Sequence, residues 1–419
     1  MFCYKVGLFN THMSNYRKIR SLDIMYQGKI KILILIDHLY GLGGSERNLL
    51  QIITHLDHSK FSFIICPLDS DDNHIVKELK HKGAKVFPLQ VKRIYGLSGL
   101  RQAFRLRRIL KENEIDIIQT IHFASDVYGT LIAKWAGVPV IISSRRDMGY
   151  KFVGLMHHNP GWHLLLMRRV LNKHVQKFIS VSEKVRQTIS ESENIPLDKI
   201  VTIYNSIDVT SFPDSCDRNN LAKQIGLDPQ APIIGTIANL RPIKGLEYFI
   251  HAAGTVIKSS PSCQFIVVGY EGSSGESEIE HYYKKLLQLC RDLGLTTNFY
   301  FLGYAENSAP LVSIMDIFVL SSLSEGFSNS LLEAMAAKKA VVATDVGGNA
   351  EALVHKESGI LIPARDADAL ARSISKLIED ENLRKELGEK ARERIEKYFS
   401  IERMVQTLES LYESLLKDR

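Results

Sequence analysis

The chain has 419 residues, of which 45% are hydrophobic and 24% are charged, a composition that suits two full domain cores and excludes disorder on a large scale. No apolar run approaches the roughly 20 residues that a membrane-spanning helix needs. The net charge of +6 is uneven, because residues 1–210 carry 30 Lys and Arg against 18 Asp and Glu, whereas residues 211–419 carry 23 against 29. The basic half predicts an anionic contact, and nucleic acid is not expected because no recognition-helix or zinc-finger signature accompanies the charge.

The N-terminal region and the cysteines predict a cytoplasmic protein. Residues 1–28 look like a loose extension that is a candidate for disorder, and they lack the pattern of an export signal. The five cysteines are scattered, with neither paired nor metal-type spacing, which fits a reducing compartment.

From Lys29 onward, strand-like apolar runs alternate with segments of helical length. This alternation predicts parallel strands joined by right-handed helical crossovers. The first series of runs is 31–37, 62–66, 84–88, 114–120, 138–144, 177–182 and 199–204, and the second is 232–238, 263–269, 298–303, 316–322, 340–345 and 358–363.

The two series predict two doubly wound, Rossmann-like α/β domains that face each other across a cleft. Clustered Pro, Asp and Asn residues separate them and indicate a linker whose middle forms a short helix at Leu221–Ile225. The expected organisation is an extension at 1–28, a first domain at 29–208, a linker at 209–231, a second domain at 232–397 and a terminal helix at 398–419 that packs back towards the first domain.

In the first domain, two polar segments follow predicted strands. Gly41-Leu-Gly-Gly-Ser-Glu46 precedes a helix and suits an anion, although it matches neither the dinucleotide fingerprint nor the phosphate-loop motif. His122 follows the run 114–120, where a side chain can reach into the cleft. A solitary histidine is usually structural, and the sequence leaves both roles open.

Two cations follow the first strand of the second series. Arg241 and Lys244 lie in Asn239-Leu-Arg-Pro-Ile-Lys-Gly245 and suit a diphosphate, because arginine grips phosphate oxygens in a bidentate manner and lysine supplies a compact charge. The alternative is a pair of solvated loop cations. After the run 340–345, Gly347 and Gly348 offer a close backbone approach at the same sheet edge, with a plain turn as the alternative.

The segment Ser321–Lys338 links a buried strand to a helix and carries two carboxylates. Glu325 lies in the loop, where it can face the hydroxyl groups of a ligand, and Glu333 lies one turn into the helix. The alternative is a capping box formed by Ser330 and Glu333, with Glu325 as an ordinary loop acid.

Together these motifs resemble the retaining glycosyltransferases of family 4, which have the GT-B fold. The similarity covers about residues 29–400, and its most specific parts are the Glu-x7-Glu element at 325–333 and the Arg/Lys loop at 239–245. It also includes the segments 41–46, 181–189, 203–208 and 346–351. The resemblance implies transfer of a sugar from a nucleoside-diphosphate sugar, with retention of configuration and without a metal.

The resemblance also implies roles for single residues and assigns the acceptor to the first domain and the donor to the second. Arg241 and Lys244 would stabilise the leaving nucleoside diphosphate, and His122 would lie near the transferred sugar. The other implied donor contacts are Glu333 on the ribose, Glu325 on the sugar together with Gly326, Phe327, Ser328 and Asn329, and the glycines Gly43, Gly44, Gly347 and Gly348. No cofactor is expected beyond the nucleotide-sugar co-substrate.

Two segments depart from a plain match. Arg145 and Arg146, the candidates for contact with the acceptor, stand where many family members carry a histidine-containing segment. Asp366-Ala-Asp368 looks like the metal-binding motif of other glycosyltransferases, but its place at a helix start favours capping.

The acceptor is expected to be a lipid-linked or polysaccharide-precursor glycan at the inner face of a membrane. Residues 98–111 place Arg101, Arg105 and Arg108 on one helical arc, as in helices that lie on anionic membranes, and 161–169 combines an apolar run with two cations. Ordinary domain helices are the alternative. Two other functions stay open, namely a GT-B-type epimerase or hydrolase of nucleotide sugars and a non-catalytic membrane-docking subunit.

Overall fold

A computed structural model describes residues 28–40, 43–70, 73–91, 94, 96–148, 162–212, 217–269 and 277–417. The predicted extension, apart from Gly28, lies outside the described residues, as do Gly41 and Leu42 of the first glycine segment. None of the described helices is long and apolar enough to cross a bilayer.

The first domain is built on a seven-stranded parallel sheet in the order β3-β2-β1-β4-β5-β6-β7. Its strands are β1 Ile30–Leu39, β2 Phe61–Ser70, β3 Lys85–Val86, β4 Ile117–Ile121, β5 Val140–Arg145, β6 Lys177–Ser180 and β7 Ile200–Thr202. Its helices are α1 Gly44–His55, α2 His74–His81, α3 Leu97–Glu112, α4 Phe123–Ala136, α5 Trp162–Leu171 and α6 Glu183–Glu193.

The second domain is built on a six-stranded parallel sheet in the order β10-β9-β8-β11-β12-β13. Its strands are β8 Ile233–Ile237, β9 Gln264–Val268, β10 Phe299–Phe301, β11 Ile317–Leu320, β12 Ala340–Thr344 and β13 Ile360–Ile362. The remaining helices are α7 Arg218–Gln224, α8 Leu246–Val256, α9 Ser277–Asp292, α10 Ala309–Ile314, α11 Asn329–Ala336, α12 Asn349–Ala352, α13 Ala367–Glu379, α14 Glu381–Tyr398 and α15 Ile401–Lys417.

The central strands are near-continuous Ile, Leu and Val runs because helices cover both faces of each sheet. Residues 32–36 of β1 are fully buried, and alternate side chains join two different cores. Ile32 and Ile34 pack on the side of α1, α2 and α15, whereas Leu33 and Leu35 pack on the side of α3 and α4. The strand order reverses at β1 and at β8, and polar loops therefore meet at the carboxyl ends of these strands and of their neighbours β4 and β11.

The segment between the sheets contains the predicted short helix, displaced from its expected position. Helix α7 begins at Arg218 because the Asp217 side chain accepts a hydrogen bond from the Asn220 backbone N–H and caps the first turn. The Arg218 side chain anchors the helix to the second domain through Asp316, with an Nη2 to Oδ2 distance of 2.8 Å.

Helix α15 returns to the first domain. Its apolar stripe, which includes Met404, Leu408 and Tyr412, joins the core beneath α1. The Tyr412 hydroxyl donates to Oε1 of Gln119 in β4 at 2.5 Å, and both side chains are buried. The described part of the chain from residue 28 to residue 417 therefore begins and ends on the first domain.

Candidate active site

The predicted Arg/Lys loop and the predicted acidic loop meet at the carboxyl ends of β8 and β11. A short 3₁₀ turn at Pro242–Lys244 directs the Lys244 side chain towards Glu325, and Nζ donates to Oε1 at 2.7 Å. The same carboxylate oxygen accepts from Oγ of Ser322 at 2.6 Å. The Glu325 side chain is only 10% exposed, so this ion pair is stronger than one at an open surface.

The glycines at 347 and 348 allow the neighbouring loop to press against the Glu325 loop. Gly347 has a φ of +54°, and a Cβ atom at this position would lie 1.6 Å from the Glu325 carbonyl oxygen. The backbone N–H of Gly348 donates to the Gly326 carbonyl at 3.1 Å. A side chain at either glycine would therefore displace the loop that carries Glu325.

Glu333 has partners other than those of the capping-box alternative. Helix α11 is capped by Ser328, whose Oγ accepts from the Leu331 backbone N–H. Glu333 instead accepts from Nη1 of Arg47 at 2.7 Å and from Oγ of Ser308 at 2.8 Å. Arg47 belongs to α1 of the first domain, so this ion pair crosses the cleft, and the sequence analysis did not identify it.

His122 lies on the opposite wall of the cleft, immediately before α4. Its backbone has φ 76° and ψ 176°, a conformation that costs a non-glycine residue about 1–3 kcal/mol. The ring stacks on His38 with a centroid distance of 5.9 Å. Burial lowers the pKa of His122, while the negative charge of Asp37 opposes this shift. Asp37 itself accepts from the N–H groups of Ala124 and Ser125 at the start of α4.

Glu46, the last residue of the glycine-rich segment, is a buried carboxylate for which the sequence predicted no role. Burial raises its pKa, and the opposing influences are its own backbone N–H and the charges of His38, Arg146 and Arg241. Arg241 is exposed on the second domain, so its charge acts on Glu46 across the cleft. The glycine-rich segment therefore contributes a buried carboxylate to this site, in addition to a helix start that suits an anion.

Arg145, the last residue of β5, and Arg146, which follows it, differ in position because successive residues of an extended chain point in opposite directions. Arg146 donates to Asn48 at 3.0 Å and to Asn205 at 2.7 Å, and burial lowers its pKa to about 10. Asn205 in turn donates to the Phe327 carbonyl at 2.8 Å, so Arg146 is connected to the loop that carries Glu325.

The acceptor contact predicted for Arg145 is wrong. Its guanidinium is 3% exposed and is paired with Asp126 and with Glu193, the latter at 3.1 Å. Arg168 of α5 joins the same cluster through Asp126 at 2.9 Å. These contacts fix Arg145 in the interior of the first domain, where it stabilises the packing of α4, α5 and α6.

The segments 181–189 and 346–351 form contacts between the two domains rather than the site itself. Ser182 donates to the Gly326 carbonyl at 2.9 Å, and the Glu351 carboxylate accepts from the backbone N–H groups of Glu183 and Lys184, both at 2.8 Å. Near the cleft, Nδ2 of Asn329 donates to the Gly44 carbonyl at 2.8 Å. These bonds set the distance between the acidic loop and the first domain.

The Asp366-Ala-Asp368 segment caps a helix, as expected. Oδ1 of Asp366 accepts from the Ala369 backbone N–H at 2.7 Å at the start of α13. This contact gives Asp366 a structural role that does not require a metal.

Two Rossmann-like domains with cations and carboxylates gathered in the cleft between them define the class of GT-B glycosyltransferases. The family models for Glycosyltransferase Family 4 and for Glycosyl transferases group 1 match residues 42–211 and 217–394, respectively. The chain therefore belongs to the group 1, family 4 glycosyltransferases.

Two curated relatives and one solved structure illustrate the similarity. The N-acetyl-alpha-D-glucosaminyl L-malate synthase of Bacillus anthracis is 30% identical over 53% of this chain and 56% of its own length. The N,N'-diacetylbacillosaminyl-diphospho-undecaprenol alpha-1,3-N-acetylgalactosaminyltransferase of Campylobacter jejuni is 28% identical over 78% of this chain and 85% of its own. HepE of Anabaena, solved in complex with UDP-glucose, has a TM-score of 0.79 at 23% identity, over 92% of this chain and 99% of its own. At that identity, the structural match shows the fold.

Proposed function

We propose that this glycosyltransferase moves a sugar from a nucleoside-diphosphate sugar to a hydroxyl group of a lipid-linked or polysaccharide-precursor glycan, with retention of configuration. The observation that carries the proposal is the Lys244–Glu325 pair at the edge of the second sheet, 2.7 Å between Nζ and Oε1. It places a cation for the leaving diphosphate beside an acid that can hold the hydroxyls of the transferred sugar.

The cations supply most of the chemistry that such a transfer needs. As the bond between the sugar C1 and the phosphate oxygen breaks, negative charge builds on the leaving diphosphate. Lys244 and Arg241 would stabilise that charge from fixed positions, which lowers the barrier without a metal ion. Lys244 has three donor hydrogens, so it can keep its bond to Glu325 while it donates to a phosphate oxygen.

Retention follows if the acceptor approaches the face from which the diphosphate departs. The acceptor oxygen forms its bond to C1, and its proton passes to the oxygen of the leaving phosphate, so that all atoms and charges balance. Positioning by both domains then contributes more than any single base does. His122, whose pKa is lowered by burial, is neutral at pH 7 and would donate a hydrogen bond to the sugar.

The choice of acceptor rests on the relatives and on charge. The Campylobacter relative is named for a diphospho-undecaprenol acceptor, and this chain covers 85% of that protein. A lipid-linked acceptor would hold the enzyme at the inner face of a membrane. The basic excess of residues 1–210, the part of the chain that includes the first domain, is suited to that location.

A donor screen followed by two substitutions tests the proposal. UDP-, GDP- and ADP-sugars are compared by thermal shift, since a ligand that binds the folded state raises the melting temperature. With the best donor, Lys244→Ala and Glu325→Ala should each abolish most sugar transfer while the melting transition remains cooperative. Lys258→Ala, which changes an exposed lysine of the same domain, is the matched control and should keep full activity. Transfer that survives in both site variants would refute the assignment.

The stereochemistry requires a separate measurement. The anomeric configuration of the product, read from its proton NMR coupling, should equal that of the donor. An inverted product would leave the glycosyltransferase assignment intact and would refute retention. Activity that persists unchanged in excess chelator is expected, and its loss would show that a metal takes part.

A further inference from the structure

Large apolar side chains are exposed on three neighbouring helices of the first domain. Among the described residues, thirteen large apolar side chains are exposed, and eight of them belong to α3, α4 and α5. They are Leu97, Leu100, Phe104, Leu131, Trp135, Leu166, Met167 and Val170. Leu97 is 88% exposed, which no packing role within the domain explains. We name this surface the α3–α5 face.

The α3–α5 face is continuous. Helix α4 packs between α3 and α5, and the ring of Phe104 meets the ring of Trp135 edge-on with a centroid distance of 5.1 Å. The Arg107 guanidinium lies 4.5 Å from the Trp135 ring centre and so holds the indole in place. An aromatic residue with both apolar and polar neighbours is typical of the boundary between water and lipid.

Exposed cations surround the apolar side chains. They are Arg101, Arg105, Arg108, Lys111, Lys134, Arg169 and Lys173, and the exposed acid Glu112 on α3 is close to Arg108 at 3.9 Å. A second copy of this chain would bring the same positive rim against itself, which is unfavourable. An anionic surface complements the rim, and the apolar centre requires that this surface accept hydrocarbon.

The position of α3 relates this face to the cleft. Helix α3 leads from the carboxyl end of β3 back to the start of β4, so its first turn lies at the same sheet edge as His122. Leu97 and Leu100 therefore lie on the side of the domain where an acceptor would enter.

We propose that the α3–α5 face docks on an anionic lipid bilayer, with the apolar side chains in the acyl boundary and the arginines at the head groups. The inference rests on the proposed function, because a lipid-linked acceptor brings the enzyme to a bilayer. It adds the surface that makes the contact, including Leu131 and Trp135 of α4, which no sequence pattern indicated.

Vesicle flotation tests the proposal with the full chain. The probes are vesicles of phosphatidylcholine alone and of phosphatidylcholine mixed with an equal amount of phosphatidylglycerol, in about 0.1 M and about 1 M salt. The wild type should float with the anionic vesicles at low salt. Replacing Arg101, Arg105 and Arg108 with Gln should weaken partitioning on the order of 100-fold, since each cation near an anionic surface contributes about fivefold.

A matched triple variant controls for the loss of charge. Lys77 of α2, Lys82 immediately after α2 and Lys85 of the edge strand β3 are exposed away from the α3–α5 face. Their replacement with Gln should change partitioning by less than about threefold. A separate apolar variant, in which Phe104, Leu131 and Leu166 become Ser, should lose binding to the anionic vesicles at low salt although every arginine is kept. Equal floating of all variants would overturn the proposal.

The outcomes separate this proposal from the proposed function. Lys244→Ala should lose transfer and float like the wild type. If sugar transfer is found but no variant differs in flotation, only the docking surface is refuted. If light scattering shows that the wild type is a dimer, and the apolar variant is a monomer with unchanged flotation, the face binds a second copy instead and the proposal is overturned.

Discussion

Replacing Glu325 with Gln separates the two roles proposed for this residue, as the partner of Lys244 and as the acceptor for the sugar hydroxyls. The substitution keeps the shape and one acceptor oxygen, so Lys244 and Ser322 retain a partner at the positions now 2.7 and 2.6 Å from Oε1. Only the negative charge is removed. The change from an ionic to a neutral hydrogen bond at this partly buried position should cost about 1 kcal/mol of folding stability.

The effects on binding and on catalysis should have opposite signs. Without the carboxylate, the charge of Lys244 is available to a diphosphate, and repulsion between Glu325 and the phosphates is lost. We therefore expect the nucleoside diphosphate to bind roughly fivefold more tightly, which corresponds to ~1 kcal/mol. Transfer should fall about 100-fold, because a charged acceptor for the sugar hydroxyls is lost in the transition state.

Calorimetric titration with UDP, GDP or ADP, chosen by the donor screen, measures the first effect, and initial transfer rates measure the second. Glu379→Gln removes an exposed carboxylate from the same domain and should change neither quantity. Weaker nucleotide binding in the Glu325 variant, together with retained transfer, would refute the assignment of Lys244 and Glu325 to the donor.

Three further predictions follow from single contacts. Gly347→Ala should lower the free energy of unfolding by about 2 kcal/mol or more in denaturant titration, because its Cβ would meet a backbone oxygen at 1.6 Å. Gly226→Ala, at a φ of +79° with open space around it, should cost only about 1 kcal/mol. Equal losses in the two variants would contradict this account. Arg47→Ala leaves the buried Glu333 carboxylate without its cation, so it should lower stability by about 2–3 kcal/mol and increase the melting-temperature rise that the nucleotide produces, and an unchanged rise would argue against a ribose contact. The folded-state pKa of His122 lies below its ordinary value of 6.5, so its contribution to stability is present above about pH 6.5 and is lost as the pH falls through the folded pKa. In unfolding curves measured over a pH series, His122→Asn should remove this decline in stability. An identical series in both proteins would refute the prediction.

The strands were predictable because they are buried on both faces. Each of the thirteen apolar runs overlaps a strand, because a short run rich in Ile, Val and Leu suits a strand that is covered on both faces of the sheet. The residues at which the strands begin and end were less predictable. Within the run 84–88 the paired strand covers only Lys85–Val86. The backbone N–H groups of Phe87 and Leu89 still donate to the Ile65 and Pro67 carbonyls of β2, but Pro67 has no N–H to donate in return, so the ladder ends there.

The pairing of Lys244 with Glu325 was predictable from the rule that the loops after parallel strands gather at one edge. The pairing of Arg47 with Glu333 was not, because the two residues are 286 positions apart and lie on different domains. A helix pattern shows that Arg47 is near a helix start but does not show which residue faces it. Arg145 and Arg146 are adjacent in the sequence but have different surroundings. The strand ends between them, and the sequence does not determine which of the two points inward.

The carboxylates proposed for donor binding, Glu325 and Glu333, already accept hydrogen bonds from cations, and this arrangement follows from their burial. A carboxylate that is 10% exposed or less is costly unless it is paired, so the fold must provide Lys244 for Glu325 and Arg47 for Glu333. Sugar and ribose hydroxyls would therefore donate to carboxylate oxygens that already accept a hydrogen bond, or would displace an existing donor. Each such contact contributes less binding free energy than a hydrogen bond to an unpaired acceptor would. The cation on Glu333 comes from the first domain, so any exchange at the ribose also alters a contact between the domains. If Glu333 holds the ribose as proposed, donor binding would be linked to the contact between the domains through Arg47, a residue outside both carboxylate loops.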